Sequence, residues 1–123
     1  MHELSIAQSV IDIAVEHARA HHAVRVQSLT LRIGALSCVH KSSLEFCFDL
    51  VAKGTVLEGA ELRYIDVPVA VFCTLCQREV ELLGIQRFRC PICDTACGDV
   101  RRGKELELDT IECVLEDDVE VAQ

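Results

Sequence analysis

The sequence is poor in aromatic residues: among 123 residues there is no tryptophan, one tyrosine and four phenylalanines. Proteins that bind nucleic acids by stacking bases need aromatic side chains, so this scarcity counts against that class. Apolar runs are short, and none approaches the about 18 residues of a membrane-spanning helix. Half of the residues are nevertheless hydrophobic, which excludes intrinsic disorder and predicts one domain, or one domain with a small insert.

Positive charge is in deficit as well, because 12 Lys and Arg residues face 20 Asp and Glu residues for a formal net charge of −8. Residues 1–76 carry a net −2, residues 77–104 a net +2 and residues 105–123 a net −8. Polyanions repel a protein this acidic, so general DNA or RNA binding is disfavoured. Only the middle segment escapes this argument.

The first residues do not resemble a secretory leader. Met1-His2-Glu3-Leu4 has no basic start, and polar residues interrupt the apolar ones that follow. We therefore expect a cytoplasmic protein without a membrane span. Thiols stay reduced in that compartment, so the eight cysteines of this chain indicate metal binding rather than disulfides.

The periodicity of apolar residues predicts an α+β fold. Helical spacing extends over 4–20, and Ser42 and Glu45 have capping-box spacing at the start of a second helix over 42–53, which Gly54 ends. Strands are predicted over 24–34, 62–71 and 106–115, with Pro68 limiting the second to an edge or a break. We expect two helices packed on a three-stranded sheet, with an inserted zinc-ribbon module at about 70–103 that lacks the periodicity to build its own core.

Two CxxC pairs stand in this insert: Cys73 with Cys76, and Cys90 with Cys93, separated by thirteen residues. A two-residue gap lets both thiolates of a pair reach one ion, and the second pair completes a tetrahedron. Four soft thiolates select zinc or iron, and we interpret the set as a structural zinc site with no open position for catalysis. Structural zinc contributes on the order of 10 kcal/mol in small peptides, more than such an insert obtains by burying apolar area.

The remaining cysteines are interpreted separately. Cys97 lies four residues after Cys93 and is an alternative ligand. Cys47 and Cys113 stand among apolar residues, where a free cysteine packs in the core, whereas Cys38 falls in a loop.

The N-terminus offers a second kind of metal ligand. An α-amine has a pKa near ~7.7–8.0, so part of it is unprotonated at neutral pH. The amine of Met1, the amide nitrogen of His2 and its imidazole can form fused chelate rings in one plane, an arrangement typical of Ni(II) or Cu(II). The fourth ligand is left open between the amide or carboxylate of Glu3 and a group from a partner.

Several segments of the sequence resemble one family in the same order. They are MHELS at 1–5, IGALSCV at 33–39, FCF at 46–48 and the two CxxC pairs. Together they resemble the HypA/HybF family of hydrogenase-maturation nickel metallochaperones, over essentially the whole chain. Some members carry a histidine directly after a CxxC pair, where this chain has Gln77 and Asp94, so a zinc-site rearrangement through those histidines does not carry over.

The resemblance implies a nickel-binding α+β domain (1–69 plus 104–123) and a zinc-binding domain (70–103). It implies Ni(II) as transported cargo, bound through His2 and the backbone near it, and structural Zn(II) on Cys73, Cys76, Cys90 and Cys93. It further implies delivery to the large-subunit precursor of a [NiFe]-hydrogenase, with the GTPase HypB as partner. Such a protein is a carrier and not an enzyme. Whether the protein also delivers nickel to urease stays open. Whether it is a monomer or a homodimer stays open too.

Other interpretations compete with this one. A nucleic-acid-binding or protein-interaction zinc ribbon would use the basic residues around the cysteines, which are Arg78, Arg87, Arg89, Arg101, Arg102 and Lys104. Zinc bound by four thiolates is a net anion, however, and cancels the positive excess of that segment. The sequence contains no phosphate-binding glycine loop, H-E-x-x-H pattern or Ser/His/Asp group, so no motif in it indicates catalysis.

Two polar features fit no single interpretation. His17 and His21 lie four residues apart on the first predicted helix, where they either grip a metal or belong to a solvated face. The acidic end at 116–120 is interpreted as a disordered solubilising tail, with attraction of metal cations as the alternative.

Overall fold

The computed structural model describes residues 3–116, and its elements confirm the predicted α+β class. Within this range there are two helices, α1 (Glu3–Ala20) and α2 (Lys41–Ala52). The strands are β1 (Ala23–Gly34), β2 (Glu61–Val67), β3 (Ala70–Cys73), β4 (Arg78–Glu81), β5 (Val100–Arg102) and β6 (Leu106–Leu115). They form two three-stranded sheets, in the orders β2-β1-β6 and β4-β3-β5. No helix among the described residues is long and apolar enough to cross a bilayer.

The chain divides into two compact units. Within the described residues, unit 1 comprises 3–31, 39–63 and 108–116, and unit 2 comprises 32–38 and 64–107. The predicted domain boundaries, 1–69 plus 104–123 and 70–103, stay a prediction.

Unit 1 is built on two amphipathic helices that pack against each other. The buried side chains of α1 recur at the helical period and are Ala7, Val10, Ile11, Ala14 and Ala18. Those of α2 are four residues apart: Leu44, Phe48 and Ala52. The alanines let two helix backbones approach closely while larger side chains fill the remaining volume. The apolar period of each helix therefore specifies which face is buried.

The start of α2 differs from the prediction. Its N-cap is His40, whose side chain makes no capping hydrogen bond, and Ser42 lies one residue inside the helix. The Glu3 carboxylate instead accepts a hydrogen bond from the backbone N–H of His40, with 3.1 Å between Oε2 and N. The capping box is thus wrong, because a partner distant in sequence reaches this end of the helix. The predicted end is confirmed: Lys53 is the C-cap, and Gly54 follows with φ of +80°.

The predicted strand over 62–71 is two strands in two different sheets. β2 ends at Val67 and β3 begins at Ala70, with Pro68 between them. Proline has no N–H to donate to a ladder, so the chain leaves the first sheet there. The alternating apolar pattern continues across the break because Val69 and Val71 enter a different core.

Unit 2 has an apolar core that the sequence did not predict. Strand β3 pairs antiparallel with β4, placing Val71 opposite Val80, and with β5, placing Val71 opposite Val100. The buried cluster consists of four aliphatic residues and three cysteines: Val69, Val71, Val80, Leu82, Cys73, Cys90 and Cys97. Strands of three and four residues are too short to show a period, so only their pairing reveals this core.

Candidate metal centre

Each CxxC pair lies at the tip of a hairpin in unit 2. The first follows β3, whose last residue, Cys73, is the ladder partner of Arg78 in β4. The second lies between Arg89 and Ala96, which form an antiparallel bridge. Within this hairpin the Cys90 N–H donates to the Thr95 carbonyl, and the Asp94 N–H donates to the Cys90 carbonyl, both at 2.8 Å. The turns hold the two cysteines of each pair on the same side.

The four predicted sulfur ligands converge on one point, all within 4.8 Å of one another. The Sγ atoms of Cys73 and Cys93 are 3.5 Å apart, and those of Cys76 and Cys90 are 3.9 Å apart. A disulfide would need about 2.05 Å, whereas a regular tetrahedron with metal–sulfur bonds of about 2.3 Å has edges of about 3.8 Å. The spacing therefore fits four thiolates around one zinc ion.

A left-handed residue follows each pair, a feature that the sequence analysis missed. Gln77 has φ of +55° and Asp94 has φ of +62°, both directly after the second cysteine of their pair. This conformation turns the chain sharply after the second cysteine of each pair. Within each pair, a backbone N–H also faces the first sulfur. The Cys76 N–H lies 3.4 Å from Cys73 Sγ, and the Ile92 N–H lies 3.4 Å from Cys90 Sγ. The sequence held one signal of these two turns, which is that Gln77 and Asp94 occupy the same position after a CxxC pair.

The surroundings bias the sulfurs toward different protonation states. The Thr95 hydroxyl, 3.2 Å from Cys93 Sγ, lowers the pKa of the Cys93 thiol to about 6. The backbone N–H of Cys76 lowers the pKa of Cys73. The hydrogen bond with Cys93, together with desolvation, raises the pKa of Cys76 to about 12. Metal binding requires thiolates, so the fold favours the metal-binding form of two of the four cysteines, Cys73 and Cys93.

Position, and not burial, separates the four converging cysteines from Cys97. Cys73 and Cys90 are fully buried, Cys76 is half-buried and Cys93 is exposed. Cys97 is buried in the apolar cluster of unit 2, outside the group of four, and its Sγ lies 3.3 Å from the Thr95 carbonyl oxygen. Burial raises the pKa of the Cys97 thiol, which keeps it protonated. Its role in this structure is therefore packing.

The cysteines of unit 1 depart partly from expectation. Cys47 and Cys113 are only half-buried, so neither is the fully packed core residue that its apolar neighbours predict. Desolvation still raises the pKa of the Cys113 thiol. Cys38 is exposed in the loop after β1, as predicted.

The donor set determines what a bound metal does here. Zinc fits the four thiolates, and in such a closed site it would act as a structural cross-link between the two hairpins, with no position for water or substrate. The side chains of Cys73 and Cys90 belong to both the sulfur cluster and the apolar core. Metal binding and packing of unit 2 thus use the same residues.

Most of the basic residues near the cluster are engaged with carboxylates. Arg87 and Arg89 both pair with Asp94, at 3.7 and 3.1 Å. Arg101 pairs with Asp99 at 2.8 Å and stacks on the Phe72 ring, and Arg102 pairs with Glu79 at 2.7 Å. An arginine that is already paired with a carboxylate of its own chain attracts a phosphate group less strongly. This arrangement counts against a nucleic-acid-binding ribbon.

The predicted nickel ligands lie at the other end of the sequence. Met1 and His2 fall outside the described residues, as does the acidic tail beyond Glu116. Glu3 is described: it is the first residue of α1, and its carboxylate accepts the N–H of His40. That hydrogen bond lowers the pKa of Glu3, which keeps the carboxylate charged.

A mixed α+β fold with four converging thiols defines a small metal-binding protein. A family model described as "HypA: Hydrogenase/urease nickel incorporation, metallochaperone, hypA" matches residues 1–113. The match covers most of the chain, from its first residue into β6. The chain therefore belongs to the HypA family of nickel metallochaperones and hydrogenase maturation factors, as the motifs predicted.

Relatives and solved structures agree with this assignment. The chain is 47% identical over 112 residues to the hydrogenase maturation factor HypA of Chloroflexus aurantiacus, covering 91% of this chain and 98% of the relative. It is 43% identical over 93 residues to HypA of Escherichia coli K12, covering 76% and 80% of the two chains. The solution structure of the Ni metallochaperone HypA from Helicobacter pylori superimposes with a TM-score of 0.69 at 26% identity, covering 94% of this chain and all of that one.

Proposed function

We propose that this protein is a cytoplasmic nickel carrier that binds Ni(II) at its N-terminus and delivers it to the large-subunit precursor of a [NiFe]-hydrogenase. The observation that carries the proposal is the match of the nickel-incorporation family over residues 1–113. A GTPase of the HypB type is the proposed partner, since this sequence has no phosphate-binding glycine loop of its own. The protein acts as a carrier and not as an enzyme, as a monomer or a homodimer.

The proposed nickel ligands are His2, through its imidazole and amide nitrogens, and the amine of Met1. Glu3 supplies the fourth ligand through its amide or carboxylate, unless a partner provides it. Support comes from the position of Glu3 at the start of α1, because the first four N–H groups of a helix have no intrahelical acceptor. A metal on the Glu3 amide displaces no hydrogen bond of the helix, whereas a metal on the Glu3 carboxylate competes with the N–H of His40. A terminal site also releases its cargo with few packed contacts to break.

The four cysteines are proposed to hold zinc as a structural ion, with the zinc-binding domain at 70–103 and the nickel-binding domain at 1–69 plus 104–123. The spacing of the sulfurs supports zinc, and the nitrogen ligands suit Ni(II). The two metals thus select different donor sets on one chain. Exchange of cargo then leaves the structural ion in place.

The test is a nickel titration of untagged, zinc-loaded protein. We expect one tight equivalent of Ni(II) with square-planar absorption, and we expect His2→Ala to abolish this tight equivalent while zinc and fold are retained. His22→Asn removes another exposed imidazole, one that makes no contact with Glu3, and is the matched control, expected to bind as the wild type does. Two residues added before Met1 turn its amine into an amide and should weaken binding. Unchanged affinity in His2→Ala would refute the assignment.

Urease is the second candidate acceptor, because the description of the matching family names both hydrogenase and urease. The two are separated by loading purified hydrogenase large-subunit precursor or apo-urease from the nickel-bound protein. Transfer to the hydrogenase precursor alone is expected. Transfer to apo-urease alone would contradict the hydrogenase precursor as acceptor and assign urease in its place.

A further inference from the structure

Two histidines stand together at the end of α1, remote in sequence from His2 and from the cysteines. His17 lies in the last turn of the helix, and His21 directly follows its last residue, Ala20. Both side chains are exposed. Their ring centroids are 4.3 Å apart, with the ring planes inclined by 31°. Two imidazoles at i and i+4 therefore already share one face of the molecule.

A backbone contact determines the tautomer of one of them. Nδ1 of His21 lies 3.0 Å from the carbonyl oxygen of His17. A carbonyl oxygen only accepts hydrogen bonds, so Nδ1 carries the proton and the neutral ring keeps its lone pair on Nε2. Metal-binding histidines use this arrangement, in which one ring nitrogen donates to a carbonyl and the other binds the metal.

The electrostatics of this end of α1 favour a cation. The last carbonyl groups of a helix carry a partial negative charge. An open depression beside His17 is also lined by Asp12 and Glu16. The Glu16 carboxylate already has a positively charged partner, the guanidinium of Arg19 at 3.2 Å. The carboxylate of Asp12 accepts a hydrogen bond from the neutral amide of Gln8, at 2.8 Å, and keeps its negative charge facing this depression.

We propose that His17 and His21 form a second, weaker binding site for a late first-row dication, with Cu(II) and Ni(II) preferred because affinity for nitrogen ligands rises along the first-row dications to Ni(II) and Cu(II). Two protein nitrogens and water complete the coordination, so the ion exchanges more readily than at a chelate with more protein ligands. The site would give the helical unit a solvent-facing position for a metal ion. The proposal depends neither on His2 nor on the cysteines.

The experiment uses untagged, zinc-loaded His2→Ala protein, titrated with Ni(II) and, separately, with Cu(II). We expect one weak equivalent, with paramagnetic broadening by Cu(II) confined to the imidazole signals of His17 and His21. His17→Ala and His21→Ala, each added to His2→Ala, should weaken binding about tenfold or more, because the second imidazole acts intramolecularly. Both positions are exposed and alanine favours helix, so the fold should tolerate these changes.

The matched control is His22→Asn, which removes the neighbouring histidine. His22 has φ of +56°, a conformation that asparagine tolerates, so this variant should bind as its parent does. The proposal is overturned if His2→Ala protein binds neither ion, if His17→Ala binds unchanged, or if His22→Asn weakens binding as much as the other two. Nickel binding of His17→Ala protein with its native His2 reports the N-terminal site separately, so each proposal fails on a different variant.

Discussion

The two units of this protein obtain their stability in different ways. Unit 1 has two helices of 18 and 12 residues whose buried faces are continuous and carry only one kind of side chain, the apolar kind. Unit 2 has strands of three and four residues, and three of the seven residues in its buried cluster are cysteines. The core of unit 1 is built from apolar side chains, and the core of unit 2 is built from aliphatic side chains and cysteine sulfurs together.

The difference follows from how much apolar area each segment can bury. Long helices bury enough side chains to offset the conformational entropy lost on folding. Short strands with four aliphatic core residues do not, so a bound metal must supply the remainder. We therefore expect that loss of zinc unfolds one unit and that loss of a helix contact weakens the other.

The largest effect should come from removing the metal. Chelation of zinc, or Cys90→Ser, takes away a contribution on the order of 10 kcal/mol, because the ion joins both hairpins. Amide NMR signals from 70–103 should collapse, while the helical circular dichroism of α1 and α2 persists. Acidification should act in the same direction, since protons compete with the metal for the thiolates.

A buried cysteine outside the group of four converging sulfurs is the control for this prediction. Cys97→Ala changes the same core without touching a predicted ligand, so one zinc per chain should remain. Loss of zinc from Cys97→Ala would make it a fifth contributor to the site. Loss of the helical signal on chelation would contradict the independence of unit 1.

A core truncation in unit 1 should give the converse result. Phe48 is only 1% exposed, and Phe48→Ala should destabilise the helices by about 3–5 kcal/mol while zinc stays bound. Phe46 on the same helix is 69% exposed, so Phe46→Ala should change stability by no more than about 0.5 kcal/mol. Thermal unfolding followed by circular dichroism, with zinc counted separately, distinguishes the two. Equal effects of the two variants would mean that burial does not organise this unit.

A smaller effect should come from a backbone contact in unit 2 that involves no metal. A Cβ on Gly34 would stand 2.1 Å from the Gly103 oxygen and 2.7 Å from the Glu105 nitrogen, both backbone atoms that cannot move aside cheaply. Gly34→Ala should therefore strain the hydrogen bonds from Gly34 N–H to Glu105 O and from Leu36 N–H to Gly103 O, both 2.7 Å between N and O. We expect a loss on the order of 2–3 kcal/mol in chemical denaturation.

The control for Gly34 is a glycine with free space around it. A Cβ on Gly98 would meet nothing within 4 Å, so Gly98→Ala should be close to neutral. If Gly34→Ala is as well tolerated as Gly98→Ala, the close approach of the two backbones is not required. Unit 2 would then depend on its metal and its cluster alone.

Sequence reasoning succeeded where the physical signal is local. The apolar period placed α1 within one residue at each end, because the period of a helix matches the period of its buried face. The bounds of α2 were also predicted within one residue, its end from Gly54 and its start from a capping box that did not form. The two CxxC pairs were also local signals, since each spacing by itself makes a turn that can hold one ion. The resemblance to the family added the function, which no periodicity contains.

It failed where partners are distant along the chain. Residue Glu3 reaches the N–H of His40, so the capping box predicted from Ser42 and Glu45 did not form. Pro68 allowed a break between β2 and β3, as found, but not the passage of the chain into a second sheet. The presence of β4 and β5 was hidden, because a strand of three or four residues is defined by its neighbour. The left-handed residues Gln77 and Asp94 were missed because neither is glycine, the usual residue at such a turn.

The amino-acid sequence alone determined the helices, the α+β class and the family, and it singled out the four cysteines predicted to hold zinc, because each of these depends on spacing along the chain. Only the tertiary structure decided that these four sulfurs meet at metal-binding distances and that Cys97 lies outside their group, in the apolar core. The reason is geometric. Spacing determines which side chains can share a turn or a face, whereas convergence of separate segments depends on how the whole core packs.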